Sequence, residues 1–157
     1  MNIAFIPASE VDCEQLTQVA KIAKQHWGYA NEWMQLWEED LTITPARFVN
    51  QTLVKAQVDG ILAGFYVLAY EEDLVELDGL WILPEYHGKR IGKTLFHHAV
   101  DQARKEGYSR LQLYADPYVD GFYQKLGGQI IGQIPTKIKD RYLNIFQFQL
   151  EEIEGVV

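Results

Sequence analysis

The segment Ile82-Leu83-Pro84-Glu85-Tyr86-His87-Gly88-Lys89-Arg90-Ile91-Gly92-Lys93 passes from a strand-like pattern to a helical one within a few residues. Such a junction aims backbone N–H groups outward, because the first turn of a helix leaves donors without internal partners and the peptide dipoles add partial positive charge there. A phosphate suits that place. Gly88 and Gly92 lack the Cβ that would hold a diphosphate off the backbone, while Lys89, Arg90, Lys93 and His87 raise the local potential. The plainer alternative is a tight turn with exposed basic residues ahead of a core helix. A nucleoside triphosphate loop is a poor fit: Gly92-Lys93-Thr94 matches its end, but His87 stands where its first glycine is required. The dinucleotide pattern G-x-G-x-x-G is absent.

A second set of candidates lies on the strand leading into this loop. A period of two places Glu76 and Asp78 on one face with Leu80 and Ile82. Burial beside Leu74 and Leu80 would raise a carboxyl toward the range of a useful base. The alternative is that both are solvated, like the preceding Glu71-Glu72-Asp73. His97 and His98 are adjacent on a helix and point about 100° apart, so they do not form a metal pair, and no metal is expected. Cys13 has no partner for a disulfide and reads as a small filler.

These residues need a scaffold, and the pattern supplies one. Asn2 to Ile6 reads as a strand, and a helix follows from about Val11 to His26, ended by Gly28. A short helix passes through Trp33, Leu36 and Trp37, and Pro45 can open a further turn. Thr52 to Val58 and Ile61 to Tyr70 read as strands joined by the Asp59-Gly60 hairpin turn, and Leu74 to Leu83 continues the meander. Ile91, Leu95, Phe96, Ala99, Val100 and Ala103 line one side of a helix from Arg90 to Glu106, which Gly107 stops, and a strand Arg110 to Ala115 and a short helix about Val119 to Leu126 follow. Strands near Gln129 to Ile134 and Leu143 to Leu150 complete an α+β arrangement with a mixed, mostly antiparallel twisted sheet flanked by helices. The expectation is a single domain over residues 1–157.

The charge narrows the partners. With 14 Lys+Arg against 22 Asp+Glu the chain carries a net −8, which disfavours nucleic acid and anionic membranes as partners. The start MNIAFIPASE has neither the basic flank nor the apolar core of a signal peptide, so a cytoplasmic location is expected. The run Ile61 to Tyr70 is half the length of a membrane span and reads as a buried strand.

At this point the chain resembles the GCN5-related N-acetyltransferase superfamily. His87-x-x-Arg90-x-Gly92 is similar to its phosphate-loop signature, with His87 in place of Arg or Gln and Arg90 in place of the first glycine. Asp116-Pro117-Tyr118-Val119-Asp120-Gly121-Phe122-Tyr123-Gln124-Lys125-Leu126-Gly127 resembles its Asn-x-x-Ala-x-x-Phe-Tyr-x-x-x-Gly segment, with Asp116 for Asn and Val119 for Ala. The resemblance implies an N-acetyltransferase using acetyl-CoA as cosubstrate and a primary amine as acceptor, by direct attack in a ternary complex. It implies a diphosphate on the amides from Gly88 to Lys93, a pantetheine arm beside Leu80, Trp81 and Ile82, and further coenzyme contacts from Asp116, Tyr123 and Lys125. Glu76 stands where the superfamily's catalytic carboxylate lies, and Asp78 beside it could attract a cationic acceptor. Tyr123 holds the position of the group that protonates the departing thiolate. A phenol of pKa about 10 donating to a thiolate whose acid has pKa about 8.5 runs uphill by about 2 kcal/mol, so a hydrogen bond can suffice. Trp27 and Tyr29 fall in the region that covers the acceptor, as a wall or cation face, or simply as core. The acidic composition favours a small-molecule amine over a protein, and a homodimer is compatible with this reading. A non-catalytic acetyl-CoA-binding module on the same fold is the competing expectation.

Overall fold

The computed structural model describes residues 1–153; the last four positions of the expected domain lie outside the described residues. The Asp59-Gly60 turn forms as its sequence requires, with φ of 51° and 84°, and joins β2 (Gln51–Val58) to β3 (Ile61–Tyr70). With β1 (Ile3–Pro7) and β4 (Val75–Ile82) these strands make the antiparallel meander. The chain then crosses through α4 (Ile91–Lys105) to β5 (Arg110–Ala115), which pairs with β4 in parallel. β6 (Gln129–Pro135) and β7 (Tyr142–Gln149) complete a seven-stranded sheet in the order β1-β2-β3-β4-β5-β7-β6. The helices α1 (Cys13–Gln25), α2 (Asn31–Leu36), α3 (Glu38–Leu41) and α5 (Asp120–Lys125) complete the fold. No described helix is long and apolar enough to cross a membrane.

The continuous apolar run of β3 is explained by burial on both faces. Tyr66 and Leu68 point into a core with Leu95, Phe96, Val100, Phe146 and Phe148. Phe65 and Val67 point the other way, into a core with Leu16, Val19, Trp37 and Leu41. The apolar stripe of α4 that the sequence predicts is fully used: Ile91, Leu95, Phe96, Ala99, Val100 and Ala103 are all buried. Its exit is set by Gly107, at φ 91°, where the Gly107 and Tyr108 amides close back on the carbonyls of Arg104 and Ala103.

The simple alternation expected along β4 fails at one residue. Val67 pairs with Gly79 but Leu68 pairs with Leu77, so Asp78 is an extra residue in the strand, a β-bulge. The bulge reverses which face the following side chains occupy. Val75 and Leu77 belong to the α4-side core, and Leu80 and Ile82 pack on that same side. Glu76 and Asp78 therefore lie opposite Leu80 and Ile82, not with them. Trp81 packs in the α1-side core, and its indole folds back so closely on Gly79 that a Cβ there would meet Nε1 at 2.7 Å.

Candidate active site

β4 and β5 pair only at Val75 with Leu111 and Glu76 with Gln112, and beyond this the seam opens. The bulge at Asp78 adds local bend and twist to β4 where the strands part. The opening is a cleft of about 490 Å³, walled by Leu77 to Ile82 on one strand and Leu113 to Asp116 on the other side. Edge groups of two strands thus face one cleft with no ladder between them.

At the mouth of the cleft stands the junction before α4. Tyr86 and His87 donate their amides to Leu83 and Pro84, but among the described residues the six amides from Gly88 to Lys93 donate to no backbone carbonyl; bonding resumes at Thr94, 3.1 Å from the Arg90 carbonyl. Gly88, at φ 76°, and Arg90, at φ 63°, both adopt left-handed backbone to aim them. Arg90 does so despite its Cβ, in the place where the signature has glycine. A Cβ at Gly92 would meet Phe122 at 3.5 Å, an ordinary contact, so the chain's own packing does not demand glycine there. The missing side chain leaves the backbone approachable from the cleft.

The side chains expected near the coenzyme divide into two groups. Leu80, Trp81, Ile82, His87, Gly88, Arg90, Ile91, Gly92, Lys93, Asp116 and Tyr123 all line the cleft. Lys89 and Lys125 are exposed and do not line it; Lys89 lies over the Tyr86 ring at 5.7 Å. Tyr123 is buried, which drives its hydroxyl pKa upward. Trp27 closes the cleft from the α1 side, stacked on Tyr118 at 4.9 Å and on His87 at 5.9 Å.

A second cavity of about 620 Å³ lies across β4 and shares Lys24, Asp78, Gly79, Trp81, Tyr114 and Leu143 with the cleft. The bulge puts Asp78 at this junction, where Arg47 holds it at 2.8 Å. Glu76 lines neither space. It is half-buried next to Asp78, and its carboxyl is pushed up to about 7 by burial, with the hydrogen bond and charge of Asp78 and the charge of Glu71 adding to the rise.

Asp116 lines the cleft with both oxygens engaged. Lys24 donates to it at 2.6 Å, Tyr29 at 2.8 Å, and the Tyr118 amide at 3.0 Å, while Arg141 approaches to 3.6 Å. Burial alone would raise this carboxyl; the Lys24 charge and these hydrogen bonds outweigh it and hold the pKa below the ordinary aspartate value. Tyr29 lines neither space. Its ring lies under Lys24 at 5.2 Å and Arg141 at 5.4 Å, so the cation face expected for a ligand is taken by the chain's own cations. Lys24, Arg47, Lys137 and Arg141 escaped sequence reasoning as site residues. The signal the sequence carries for two of them is the more basic stretch Ile134 to Arg141, to which no chemistry attaches from sequence.

A model described as the acetyltransferase (GNAT) family matches residues 14–128. Streptothricin acetyltransferase of Streptomyces lavendulae is 35% identical over 66 residues, 41% of this chain, which spans only 35% of that protein's length. Spermidine N(1)-acetyltransferase of Thermoplasma acidophilum is 26% identical over 126 residues, covering 69% of this chain and 77% of that protein. Among solved structures, the PaiA N-acetyltransferase of Thermoplasma acidophilum in complex with coenzyme A superposes with a TM-score of 0.80 at 26% identity, over 95% of this chain and 99% of that one.

Proposed function

This chain belongs to the acetyltransferase (GNAT) family, and from that premise we propose that it moves the acetyl group of acetyl-CoA to a primary amine by direct attack in a ternary complex. The observation that carries the reading is the row of six unpartnered amides, Gly88 to Lys93, at the mouth of a cleft that shares lining residues with a second cavity. In this reading the amides and the opening dipole of α4 bind the diphosphate. The free edge of β4 from Leu80 to Ile82 carries the pantetheine arm, and a backbone N–H near Ile82 polarises the acetyl carbonyl.

The amine enters from the second cavity as an ammonium and meets Asp78. A proton must leave before the nitrogen can attack, because an alkylamine of pKa about 10.4 is mostly protonated at neutral pH. Glu76, pushed up to about 7, is suited to take that proton through Asp78. The nitrogen lone pair then forms the C–N bond, the C–S bond breaks, sulfur leaves with the electron pair, and the second proton shed by the acylated nitrogen ends on that thiolate to give the CoA thiol. Tyr123 keeps its proton, since burial drives its pKa upward. It stabilises the departing thiolate by a hydrogen bond.

Calorimetry with CoA, followed by thiol release from acetyl-CoA across an amine panel, tests the proposal. Saturable binding with amine-dependent thiol release is the expected result. Binding without release from any amine identifies a coenzyme-binding module instead, and no binding removes the reading.

A further inference from the structure

The charges around the second cavity decide which amines can enter it. Four cations, Lys24, Arg47, Lys137 and Arg141, and two carboxylates, Asp40 and Asp78, form its charged lining. Arg47 is bound to Asp78 at 2.8 Å and Lys137 to Asp40 at 3.0 Å. Lys24 and Arg141 share one further carboxylate, Asp116, at 2.6 and 3.6 Å, so that corner retains one positive charge in excess. Lys24, Asp116 and Arg141 have side chains only 12%, 13% and 12% exposed, so solvent screens this excess weakly. The nearby aromatic faces are also taken. Lys24 sits 4.3 Å from the Trp37 ring, and Arg141 sits 5.1 Å from Trp37 and 5.7 Å from Trp33.

A polyamine in this cavity would set its second ammonium against Lys24 and Arg141, beside Trp37 and Trp33 rings that those two cations already occupy. The global charge of −8 does not rescue that arrangement, because charges within a few ångströms dominate over those beyond a screening length of about 8–10 Å. A carboxylate in the same corner meets the uncompensated charge. The apolar wall of Leu41, Ile43, Val67 and Leu143 leaves space for an uncharged side chain.

Resting on the acetyl-transfer reading above, we infer that the acceptor is an amino-acid-like molecule, its amine at Asp78 and its carboxylate toward Arg141 and Lys24. The transfer converts its amine to an acetamide, removes its positive charge, and releases CoA as the thiol together with the proton passed to Glu76.

Thiol release by the full chain at saturating acetyl-CoA tests this with matched acceptors: apolar amino acids, their carboxamides, the corresponding decarboxylated amines, and spermidine. Each kcat/KM is corrected for the free-base fraction of its amine. The acids should exceed their carboxamides and decarboxylated partners by about tenfold or more, as loss of a charge-assisted contact predicts, with spermidine last. Arg141→Met should shrink the acid-to-amide ratio below about threefold. Melting and CoA calorimetry establish that this variant is folded, and the panel on the native chain decides the matter if it is not. Equal or better use of amides, amines or spermidine overturns the inference while leaving acetyl transfer standing. Failure to bind CoA, or binding with no thiol release from any acceptor, overturns both.

Discussion

The cleft before α4 and the cavity across β4 share a wall but are built from different materials. The cleft is made of backbone: six amides from Gly88 to Lys93 and the unpaired edges of β4 and β5. The cavity is made of side chains locked in pairs, Arg47 with Asp78, Lys137 with Asp40, and Lys24 with Asp116. A site of amides tolerates changes of residue type so long as the backbone keeps its path, and Arg90 keeps it at φ 63° where glycine is usual. A site of paired charges does not, because removing one partner leaves the other uncompensated. Departures from the superfamily signature at His87 and Arg90 are therefore compatible with coenzyme binding, while our proposal assigns selectivity for the acceptor to the paired side chains.

The sharpest way to break this comparison is to obstruct the backbone site without disturbing the fold. Gly92→Trp should weaken CoA binding by about a thousandfold or abolish it in calorimetry. A Cβ at this position meets Phe122 only at ordinary contact distance, 3.5 Å, and an indole pointing into the cleft displaces ligand; circular dichroism checks that the variant is folded. Unchanged affinity would falsify the assignment of these amides to the diphosphate.

Glu76→Gln should lower kcat/KM by about a hundredfold near neutral pH. The native profile should rise through about pH 7 as the carboxyl ionises, and the variant should lose that inflection. A profile with the same inflection in both proteins removes Glu76 as the base.

Asp116→Asn removes the carboxylate that serves both Lys24 and Arg141, and should cost about 2–4 kcal/mol in urea unfolding at neutral pH. A loss under 1 kcal/mol would show that the network is not a structural hub. The two carboxylates also affect stability with opposite sign. Asp116 is held below its unfolded value, so its stabilisation is present above the ordinary aspartate range and disappears as acid protonates it. Glu76 is raised, so it favours the fold at pH below its unfolded value, and that contribution is lost as pH rises through about 7. Glu76→Gln should accordingly raise the melting temperature more at pH 8 than at pH 5; the reverse order would contradict the direction of its shift.

The smallest effect belongs to the loop. Arg90→Gly relieves a left-handed residue and adds unfolded-state freedom, leaving a net gain of roughly 0.5–1 kcal/mol in thermal or urea unfolding. A loss of stability would mean that the guanidinium supports the loop more than the backbone strains it.

Much of the scaffold was readable in one dimension. The hairpin at Asp59-Gly60, the stripe of α4 and the stop at Gly107 follow from local conformational preference and apolar period, and all appear where expected. The face of Glu76 and Asp78 was not readable. A bulge costs one residue of register and leaves no mark in the alternation of β4, so counting by twos put both acids with Leu80 and Ile82. The roles of Trp27 and Tyr29 were hidden for a different reason. Their neighbours His87, Tyr118, Asp116 and Arg141 are far away in the chain, and only folding brings them together.

By itself the sequence determined the elements, their order, the strand-to-helix turn rich in free amides, and the resemblance that named a chemistry, because each is written in neighbouring residues. Only the tertiary structure decided where β4 and β5 separate, which carboxylate faces the junction, and which cations claim Asp116 and the aromatic rings. Those outcomes depend on contacts between distant segments and on desolvation, and neither quantity exists until the chain has packed.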